Sequence, residues 1–558
     1  MVSHRHNFLY GFLFPLLLIA VAPACWSQEE VAVPELADQN AGRVLGSISF
    51  PTMTQSPEAQ KAFVEGMLLL HLFEYPYARE EFLKAQELDP DFAMAIWGEA
   101  MTHNHPVWGR QDLTAGREAL RKLGETPEER ILRTPAAREQ GFLAALELLY
   151  GAGTKIQRDL AYMRAMEQLA VRYPDDHEVQ LFYALSLFGV EAGVRDTPTY
   201  MMCTALAQDV FSENPKHPGA AHYLIHGVDD PLHAVLGLSA ARALALMAPD
   251  ASHAQHMTSH IFLALGMWDD VVGANEAAIR VQNDLREERG MKARHWGHYN
   301  QWLLYGLLQQ GRYDAALEML RAAYEELQAD GKSPTDRMIL SSERSLTGSV
   351  VKMWARFVIE TRQWDSDVAG WAFNSGDAFD PNLNITFVRA MQSAHAGLAA
   401  QTDQYITQFS RLRYELAEII SRQDDQAPAD MLYLQRLEVM ELLLRAAKEY
   451  ARGNMGQAAR IASEASELEG KMPASSGPPY VDLPSAEYLG DLLLGSRKYA
   501  EAEEAYALQL ERSRQKSHAL RGLEKAQAAL GKESAANYTR AKLKRIWSGA
   551  DEAVEPPL

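Results

Sequence analysis

The chain has 558 residues, a formal net charge of −20 at pH 7 and a sequence pI of about 5.4. This acidic balance argues against nucleic acid and anionic membrane surfaces as main partners, because both carry the same sign of charge as the protein. With two cysteines, Cys25 and Cys203, a thiolate metal site and a disulfide framework are excluded.

The first predicted element is an export signal. Basic residues at positions 4 to 6 precede the apolar run "FLYGFLFPLLLIAVAPA", and an Ala-x-Ala cleavage site ends at Ala24. The apolar run is too short for a transmembrane anchor, and no later run of about 18 apolar residues appears. We expect a signal peptide at 1–24, a linker at 25–53 and a periplasmic or secreted mature protein. A lipid anchor on Cys25 is the alternative, but Pro23 fits a lipobox poorly.

The rest of the sequence predicts helices almost throughout. Ala, Leu, Glu and Arg recur at spacings of three and four residues, whereas sustained alternation of apolar and polar residues is scarce. The stretch "EGMLLLHLFEYPYAREEFLKAQELDPD" has Gly66, Ala78, Phe82, Ala85 and Pro90 at the small, aromatic and proline positions of a 34-residue tetratricopeptide repeat. Small residues let two antiparallel helices approach closely, and the proline ends the second helix.

The same pattern returns in "LGMWDDVVGANEAA", "QGRYDAALEMLRAA", "RGNMGQAARIASEA", "GSRKYAEAEEAYAL" and "LGKESAANYTRAKL". We therefore predict an all-α tetratricopeptide-repeat solenoid that winds as a right-handed superhelix. Polar and Pro/Gly-rich breaks such as "FNSGDAFDPNLN" and "KMPASSGPPYVDLPS" suggest further divisions. The predicted parts are a solenoid with a His-rich concave groove at 54–373, a C-terminal helical segment at 385–548, and a tail at 549–558.

Four fragments carry a resemblance to a known protein family. They are "LDPDFAMAIWGEAM", "HPGAAHYLIHGVDDP", "MAPDASHAQHMTSHIFLALGMWDDVVGANE" and "HYNQWLLYGLLQQGRYDAA". The chain resembles a family of bacterial, usually exported, tetratricopeptide repeat proteins. The resemblance covers most of residues 57–325 and, more loosely, residues 477–547, and the histidine segment is its most specific part. It implies the fold and export, and it leaves the function to be argued from the residues.

Histidines are concentrated in one part of the predicted solenoid. Nine of the 17 histidines lie between positions 217 and 298. His222 and His226 recur 34 residues later as His256 and His260, which is one repeat length. Residues three, four and seven apart share one face of a helix, and the repeat places neighbouring faces side by side. These side chains are therefore expected to converge.

The repeat register indicates where they point. With Pro249 as the closing proline of one repeat, the histidines fall on the inner faces of successive A helices, the first helix of each repeat. An acidic residue falls on the same face, one helical turn after His226. The predicted site set is His222, His226, Asp229, His253, His256, His260 and His298.

Three interpretations of this set are open. Clustered imidazoles repel one another as cations, and as neutral rings each needs its own hydrogen-bond partner. A divalent cation removes both problems, so we favour a transition-metal site; imidazole and carboxylate ligands suit Zn, Cu, Fe, Mn or Ni. The alternatives are a peptide or small-molecule groove lined by imidazole and aromatic rings, and a structural hydrogen-bond network.

The leading functional hypothesis is an exported repeat protein that binds a protein, a peptide or a small ligand in a metal-containing groove. The first alternative is a metal-dependent hydrolase or oxidoreductase, which requires an open coordination position. The second is a metal-free peptide-binding scaffold. "HYLIH" lacks the Glu that zinc peptidases place after the first His, and the sequence has no P-loop, nucleophile elbow or dinucleotide fingerprint.

Four other residues are weaker candidates. His71, His103 and His105 lie near the ends of early A helices, and Glu178 lies near the start of an inward-facing helix. The fragment "HNHP", which contains two of them, also fits a simple turn. The large aromatic residues expected mainly to pack between repeats are Trp97, Trp268, Trp302, Tyr305 and Tyr313.

Overall fold

A computed structural model describes residues 43–190, 195–334, 336–338, 345–422 and 428–551. The predicted signal peptide, Cys25 and most of the predicted linker and tail lie outside the described residues. The helices below belong to the compact unit Val44–Leu558. Among the helices described, none has both the length and the apolar character needed to cross a membrane.

The described residues form 24 α-helices. The first half of the chain contains α1 (Pro57–His71), α2 (Tyr75–Leu88), α3 (Ala93–Met101), α4 (Leu113–Arg121), α5 (Pro127–Leu132), α6 (Ala137–Leu149), α7 (Lys155–Arg172), α8 (His177–Val190), α9 (Thr197–Glu213), α10 (Pro218–Val228), α11 (Leu238–Met247) and α12 (Ser252–Leu265). Helices that follow one another in this series pack together for the most part, as in α1 with α2 and α9 with α10.

The second half continues in the same way. It contains α13 (Trp268–Glu288), α14 (His298–Gln309), α15 (Tyr313–Asp330), α16 (Leu346–Thr361), α17 (Phe379–His395), α18 (Ala399–Ser421), α19 (Pro428–Ala451), α20 (Met455–Gly470), α21 (Ser485–Gly495), α22 (Tyr499–Arg512), α23 (Ser517–Ala529) and α24 (Glu533–Ile546). The predicted division into 54–373 and 385–548 stays a prediction.

Strand structure is confined, in the described part of the chain, to one small hairpin. Strands β1 (Asn104–His105) and β2 (Arg110–Gln111) pair antiparallel, with Asn104 opposite Gln111, around a turn at Pro106–Trp108. The fragment "HNHP" thus leads into a turn, which was one of its two interpretations. With so little strand, the all-α solenoid prediction is confirmed.

Aromatic residues fill the gaps that glycines leave between successive hairpins. Phe82 is fully buried, and a Cβ placed on Gly66 or Gly98 would lie 2.8 Å or 2.4 Å from its ring atoms. Tyr506 stands in the same relation to Gly490 and Gly522 near the other end of the chain. The packing pattern expected from the first repeat therefore operates at both ends of the solenoid.

The predicted turn motifs coincide with the ends of the first helices of several hairpins. Helix α12 ends at Gly266, whose φ of 70° is in the left-handed region that glycine adopts without strain. A Cβ at this position would also lie 2.6 Å from the carbonyl oxygen of Arg514. This glycine therefore ends the helix and also allows a distant part of the chain to pack closely against it.

The start of the solenoid packs against its middle. Helix α1 contacts α10, although eight helices separate them in sequence. Glu74, the residue before α2, accepts hydrogen bonds from Ser252 Oγ at 2.7 Å and from the His253 backbone N–H at 2.9 Å. It satisfies one of the first backbone N–H groups of α12, whose own cap residue, Ala251, supplies no side-chain bond. The helices that carry the histidines are thereby fixed from the N-terminal side.

The last hairpins pack back against α13 to α16. Trp268 Nε1 donates to the carbonyl of Gln515 at 2.9 Å, and the Ser517 backbone N–H donates to Gln309 Oε1 at 3.0 Å. Residues 474–480, which belong to the predicted "KMPASSGPPYVDLPS" break, lie close to the histidine-bearing helices, because a Cβ on Gly477 would be 2.4 Å from the Trp302 ring. This segment therefore bounds the space beside the histidines.

Candidate functional site

Six of the seven predicted site residues form two groups of three histidines. The first group is His222, His226 and His253, and the second is His256, His260 and His298. Within each group, one ring nitrogen from every residue lies within 4.8 Å of the others. The side chains come from α10, α12 and the first residue of α14, which are the A helices that the register predicted.

The helical spacing and the packing of α10 on α12 together produce these groups. His222 and His226 are four residues apart on one face of α10, with ring centroids 4.9 Å apart. Across the helix interface, His222 lies 5.2 Å from His253, and His226 lies 5.9 Å from His260. The two groups are therefore direct neighbours, and the expected convergence of the histidines is observed.

In the first group the ring nitrogens have an unusual hydrogen-bond pattern. His222 Nδ1 lies 2.7 Å from the backbone carbonyl of His71, so Nδ1 carries the proton. The Nε2 atoms of His222, His226 and His253 are all buried without a hydrogen-bond partner. Phe73 covers this group, with its ring centroid 4.4 Å from that of His222. Three unpartnered nitrogens in one enclosed place require an explanation, because buried polar atoms are nearly always satisfied.

In the second group, hydrogen bonds fix the tautomers of His256 and His260. Asn275 Nδ2 donates to the Val271 carbonyl at 2.8 Å, so Asn275 Oδ1 accepts from His256 Nδ1 at 2.7 Å. His260 Nδ1 lies 2.9 Å from Asp229 Oδ2 and donates to it. Both rings therefore direct a lone pair from Nε2, and these two Nε2 atoms face each other at 3.2 Å.

Asp229 lies behind the histidines, on the Nδ1 side of their rings. Besides His260, its Oδ2 lies 3.8 Å from His226 Nδ1, and its Oδ1 accepts from Arg195 Nη1 at 2.6 Å. Burial raises the pKa of this carboxyl, but Arg195 and the two imidazoles outweigh burial and hold it well below its usual range. The structure brings Asp229 to the site as a charged hydrogen-bond acceptor that orients His260.

Four of the six imidazoles, those of His222, His253, His256 and His260, have a lowered pKa that favours the neutral ring. Burial lowers the pKa of His222, His253 and His256 well below the ordinary value, and the neighbouring histidines lower it further. Burial also lowers the pKa of His260, with Asp229 opposing the shift. Neutral rings with Nδ1 protonated are the form in which histidine offers Nε2 to a metal ion.

A cavity of ≈ 460 Å³ opens beside the two groups. His226, His253, His260 and His298 reach its wall. Trp302 lies against His260, with centroids 4.5 Å apart and an interplanar angle of 29°. Lys352, Arg356 and Arg436 line the same cavity from α16 and α19, and residues 474–480 complete the wall. The volume is in the range of pockets that bind small molecules.

The weaker candidates His71 and Glu178 belong to a separate buried group with His217. His71 Nε2 lies 2.7 Å from Glu178 Oε2, and His217 Nε2 lies 3.2 Å from Glu178 Oε1. His71 Nδ1 is also bonded, at 2.9 Å, to the Tyr223 hydroxyl. Burial raises the Glu178 pKa, but the two histidines outweigh it and hold the pKa far below the usual range. This group is satisfied by its internal hydrogen bonds.

The other two weak candidates do not join a group of possible ligands in the described residues. His105 stacks on Tyr75, with centroids 3.9 Å apart, and its Nε2 lies 3.1 Å from the Thr102 carbonyl. His103 adjoins the β1–β2 hairpin and is absent from the three groups above. Both therefore contribute to the turn that carries Trp108 to the cavity.

Sequence reasoning did not identify several residues that define this site. Asn275 and Arg195 orient groups around the histidines, and Phe73 covers the first group. Trp302, expected mainly to pack between repeats, also lines the cavity. One signal was visible in the sequence: "GSVVKMWARFVIE" places Lys352 and Arg356 four residues apart in an otherwise apolar helix. Buried cations in such a context indicate a functional or ion-paired role.

Comparison with known proteins gives no functional assignment. No protein-family model and no curated protein matches the chain. Among solved structures, it is similar to yeast Tom70, with 10% identity over 86% of this chain and 90% of that one, and a TM-score of 0.30. The P58(IPK) TPR domain matches at 14% identity over 85% and 99% of the two chains, with a TM-score of 0.17.

A third similar structure is Naa15/Naa10 bound to HypK-THB, at 12% identity over 88% of this chain and 79% of that one, with a TM-score of 0.22. TM-scores this low carry no argument about shared architecture or partners. The assignment as a helical solenoid therefore rests on the described helices and their packing.

Proposed function

We propose that the protein binds two divalent transition-metal ions, one on each three-histidine group, and presents them to a small ligand in the adjoining cavity. The observation that carries the proposal is the 3.2 Å separation of His256 Nε2 and His260 Nε2, when both Nδ1 atoms already donate elsewhere. Two nitrogen ligands at about 2.0–2.1 Å from one tetrahedral metal ion lie about 3.4 Å apart. The observed spacing is close to that value.

A purely structural hydrogen-bond network explains this contact less well. For His256 and His260 to share a proton between their Nε2 atoms, one ring must carry two protons and therefore a positive charge. Burial and the neighbouring imidazoles disfavour that charge, as the lowered pKa of both rings shows. A metal ion instead accepts both lone pairs and leaves each ring neutral. It also gives partners to the three unsatisfied Nε2 atoms of the first group.

The arrangement behind the rings supports the same conclusion. Metal-bound histidines usually donate their other N–H to a carboxylate, an amide or a backbone carbonyl, which fixes the ring and its tautomer. His260, His256 and His222 make one bond of each kind, to Asp229, Asn275 and the His71 carbonyl. We therefore assign Asp229 the role of orienting His260, in place of the ligand role that its position in the repeat predicted.

The identity of the metal is constrained by the ligand type. Imidazole nitrogen suits Zn, Cu, Fe and Ni. Among the described residues the one cysteine, Cys203, offers no competing thiolate, because it is buried and donates its Sγ hydrogen to the Ala184 carbonyl. Burial raises the pKa of the Cys203 thiol above its usual range. Zinc is the simplest probe, since it takes imidazole ligands without a redox change.

A metal-dependent enzyme is a second candidate function. Three histidines per metal ion leave coordination positions for water or substrate, as catalytic sites require. Four of the six histidines reach the cavity wall, so such positions would be accessible to a ligand. Either a hydrolase or an oxidoreductase is compatible with this geometry. A metal-free scaffold for extended peptides is less well supported, because the space beside the histidines has the volume of a small-molecule pocket.

Export is part of the proposal. The support is the basic start, the apolar run and the Ala-x-Ala site before Cys25 in the sequence. A mature chain that begins at or just after Cys25, found in the periplasm or medium by intact-mass measurement, supports export. Retention of Met1 on native material contradicts it, and an added lipid mass on Cys25 identifies the anchored alternative.

The metal proposal is tested by elemental analysis of protein purified without a histidine tag. His226→Ala with His260→Ala removes one ligand from each group and should abolish most bound metal. The control is His395→Ala, because His395 is exposed and stacks on Trp364 away from both groups. A chelator should lower the melting temperature of the wild type more than that of the double variant, since an ion that binds only the folded state stabilises it. Equal metal content in all three proteins refutes the proposal.

A further inference from the structure

The cavity wall carries a concentration of positive charge that the metal proposal does not use. Lys352 and Arg356 lie one helical turn apart on α16, and Arg436 reaches the same cavity from α19. Of the charged residues lining the cavity, four are cations and one, Asp229, is an acid. Asp229 is already paired with the fourth cation, Arg195. In a chain with a net charge of −20, this local excess is notable.

The nearby carboxylates do not fully neutralise the charge of Lys352, Arg356 and Arg436. A single carboxylate, Asp482, accepts from Lys352 Nζ at 2.5 Å and from Arg356 Nη2 at 3.0 Å. Arg436 donates from Nη2 to Asn384 Oδ1 at 3.1 Å, while its Nη1 lies 3.6 Å from Asp380 Oδ1. Arg436 Nε is buried without a hydrogen-bond partner. An unsatisfied guanidinium N–H beside a cavity is a donor available to an anionic ligand.

We propose that Lys352, Arg356 and Arg436 form an anion subsite that binds the carboxylate or phosphate group of a small organic ligand, whose remaining part extends to the histidines. The orientation toward the histidines rests on the proposed function, whereas anion binding itself does not. Aromatic rings complete the wall, among them Tyr433 and Tyr480. They provide a surface for a flat or apolar ligand body, as is common in small-molecule sites.

The electrostatics of Lys352 agree with this assignment. Burial and the adjacent guanidinium groups of Arg436 and Arg356 lower the pKa of the Lys352 ammonium to about 8, although Asp482 and Asp380 oppose the shift. The positive charge is thus incompletely compensated in the free protein. An oxyanion placed among these cations would relieve their repulsion, and guanidinium groups match the geometry of carboxylate and phosphate.

The test is calorimetric titration of the full-length, metal-free protein with three probes: benzoate, inorganic phosphate and the neutral analogue benzamide. We expect at least one anion to bind at least tenfold more tightly than benzamide. Preference for benzoate identifies a carboxylate ligand, and preference for phosphate identifies a phosphorylated one. Binding of neither anion above the level of benzamide overturns the subsite.

Matched variants locate the bound anion. Arg436→Gln and Lys352→Met should each weaken anion binding at least tenfold, whereas Lys352→Arg, which keeps the charge, should retain it. Arg445→Gln is the control, because Arg445 lies on the same helix α19 but faces solvent and pairs with Glu441. Circular dichroism confirms that each variant is folded, and Arg436→Gln carries the test if Lys352→Met does not fold. Unchanged affinity in folded Arg436→Gln overturns the assignment.

The same samples separate this inference from the metal proposal. Anion binding by a protein that takes up no zinc supports the subsite and refutes the metal function. Zinc uptake without anion binding refutes the subsite alone. Benzoate that binds the zinc-loaded protein more tightly than the metal-free protein supports both the subsite and its position beside the metal ions.

Discussion

Asp229 Oδ2 accepts a hydrogen bond from His260 Nδ1 at 2.9 Å, which orients His260 Nε2 toward His256. Asp229→Asn removes the negative charge that holds this tautomer and should lower the zinc affinity of the second group by about 10–100-fold. Zinc titration against a competing chelator measures the change. Asp230→Asn is the matched control, because Asp230 also pairs with Arg195, while its hydrogen bonds come from His233 and Leu232 and not from a histidine of either group. Similar zinc affinities in the two variants would show that Asp229 does not orient the ligand.

Asn275 orients the His256 ring, as Asp229 orients that of His260. Asn275→Ala removes the acceptor for His256 Nδ1, so the ring can rotate or change tautomer, and zinc affinity should fall about 10–100-fold. Asn275→Asp keeps an acceptor oxygen in nearly the same place and should retain zinc binding. If the alanine and aspartate variants bind zinc equally well, then His256 needs no support from this position and the assigned tautomer is wrong.

The packing of the repeats is tested away from the site. Gly522→Ala places a methyl group 2.1 Å from Tyr506 Cζ, so it should destabilise the protein by about 1–3 kcal/mol. Gly273→Ala is the control, because Gly273 is helical and has no atom within 4 Å of the added Cβ. That change should leave stability the same or raise it by about 0.5–1 kcal/mol. Urea unfolding compares the two, and a stable Gly522→Ala would contradict the close packing of this hairpin.

The anion subsite has a defined pH dependence. The Lys352 pKa of about 8 lies below the ordinary lysine value, so the ammonium loses its proton as pH rises through about 8. Benzoate affinity of the free protein should therefore be highest below this pH and should fall above it. The groups facing Lys352 are Arg356, Arg436, Asp482 and Asp380, and the guanidinium groups stay charged over this range.

The charge-conserving variant provides the control for this pH dependence. Lys352→Arg cannot lose its proton near pH 8, so its benzoate affinity should stay nearly constant where that of the wild type falls. Titrations at several pH values on both sides of about 8 measure the two curves. An identical decline in both proteins would assign the titration to another group and would remove Lys352 from the subsite.

Local periodicity explains why the helices and the histidine faces could be predicted. Helix ends follow from residues such as Gly266, and the 34-residue recurrence brings His222 and His226 beside the helix that holds His256 and His260. These features depend on positions within one repeat or between adjacent repeats. The ligand role predicted for Asp229 stays a prediction. Its position in the repeat could not reveal that Arg195 Nη1 and His260 Nδ1 donate hydrogen bonds to its two carboxylate oxygens.

The remaining parts of the site depend on contacts between distant parts of the chain. Phe73 reaches the first histidine group only because α1 packs against α10, and residues 474–480 reach the cavity only because the last hairpins return to α13–α16. Contacts between helices so distant in sequence cannot be predicted from the spacing of residues within one repeat. Lys352 was visible as a charge in an apolar helix, but its partner Asp482 lies 130 residues away. The positively charged side of the cavity could therefore be identified only from the structure.

Metal stoichiometry, measured group by group, tests the central claim most directly. Untagged wild-type protein, stripped of metal and then dialysed against excess zinc and freed of weakly bound ions, is expected to hold two zinc ions per chain. His222→Ala with His253→Ala should hold one, His256→Ala with His260→Ala should hold one, and His395→Ala should hold two. Wild-type protein that retains no zinc, or double variants that retain as much zinc as the wild type, would contradict the account.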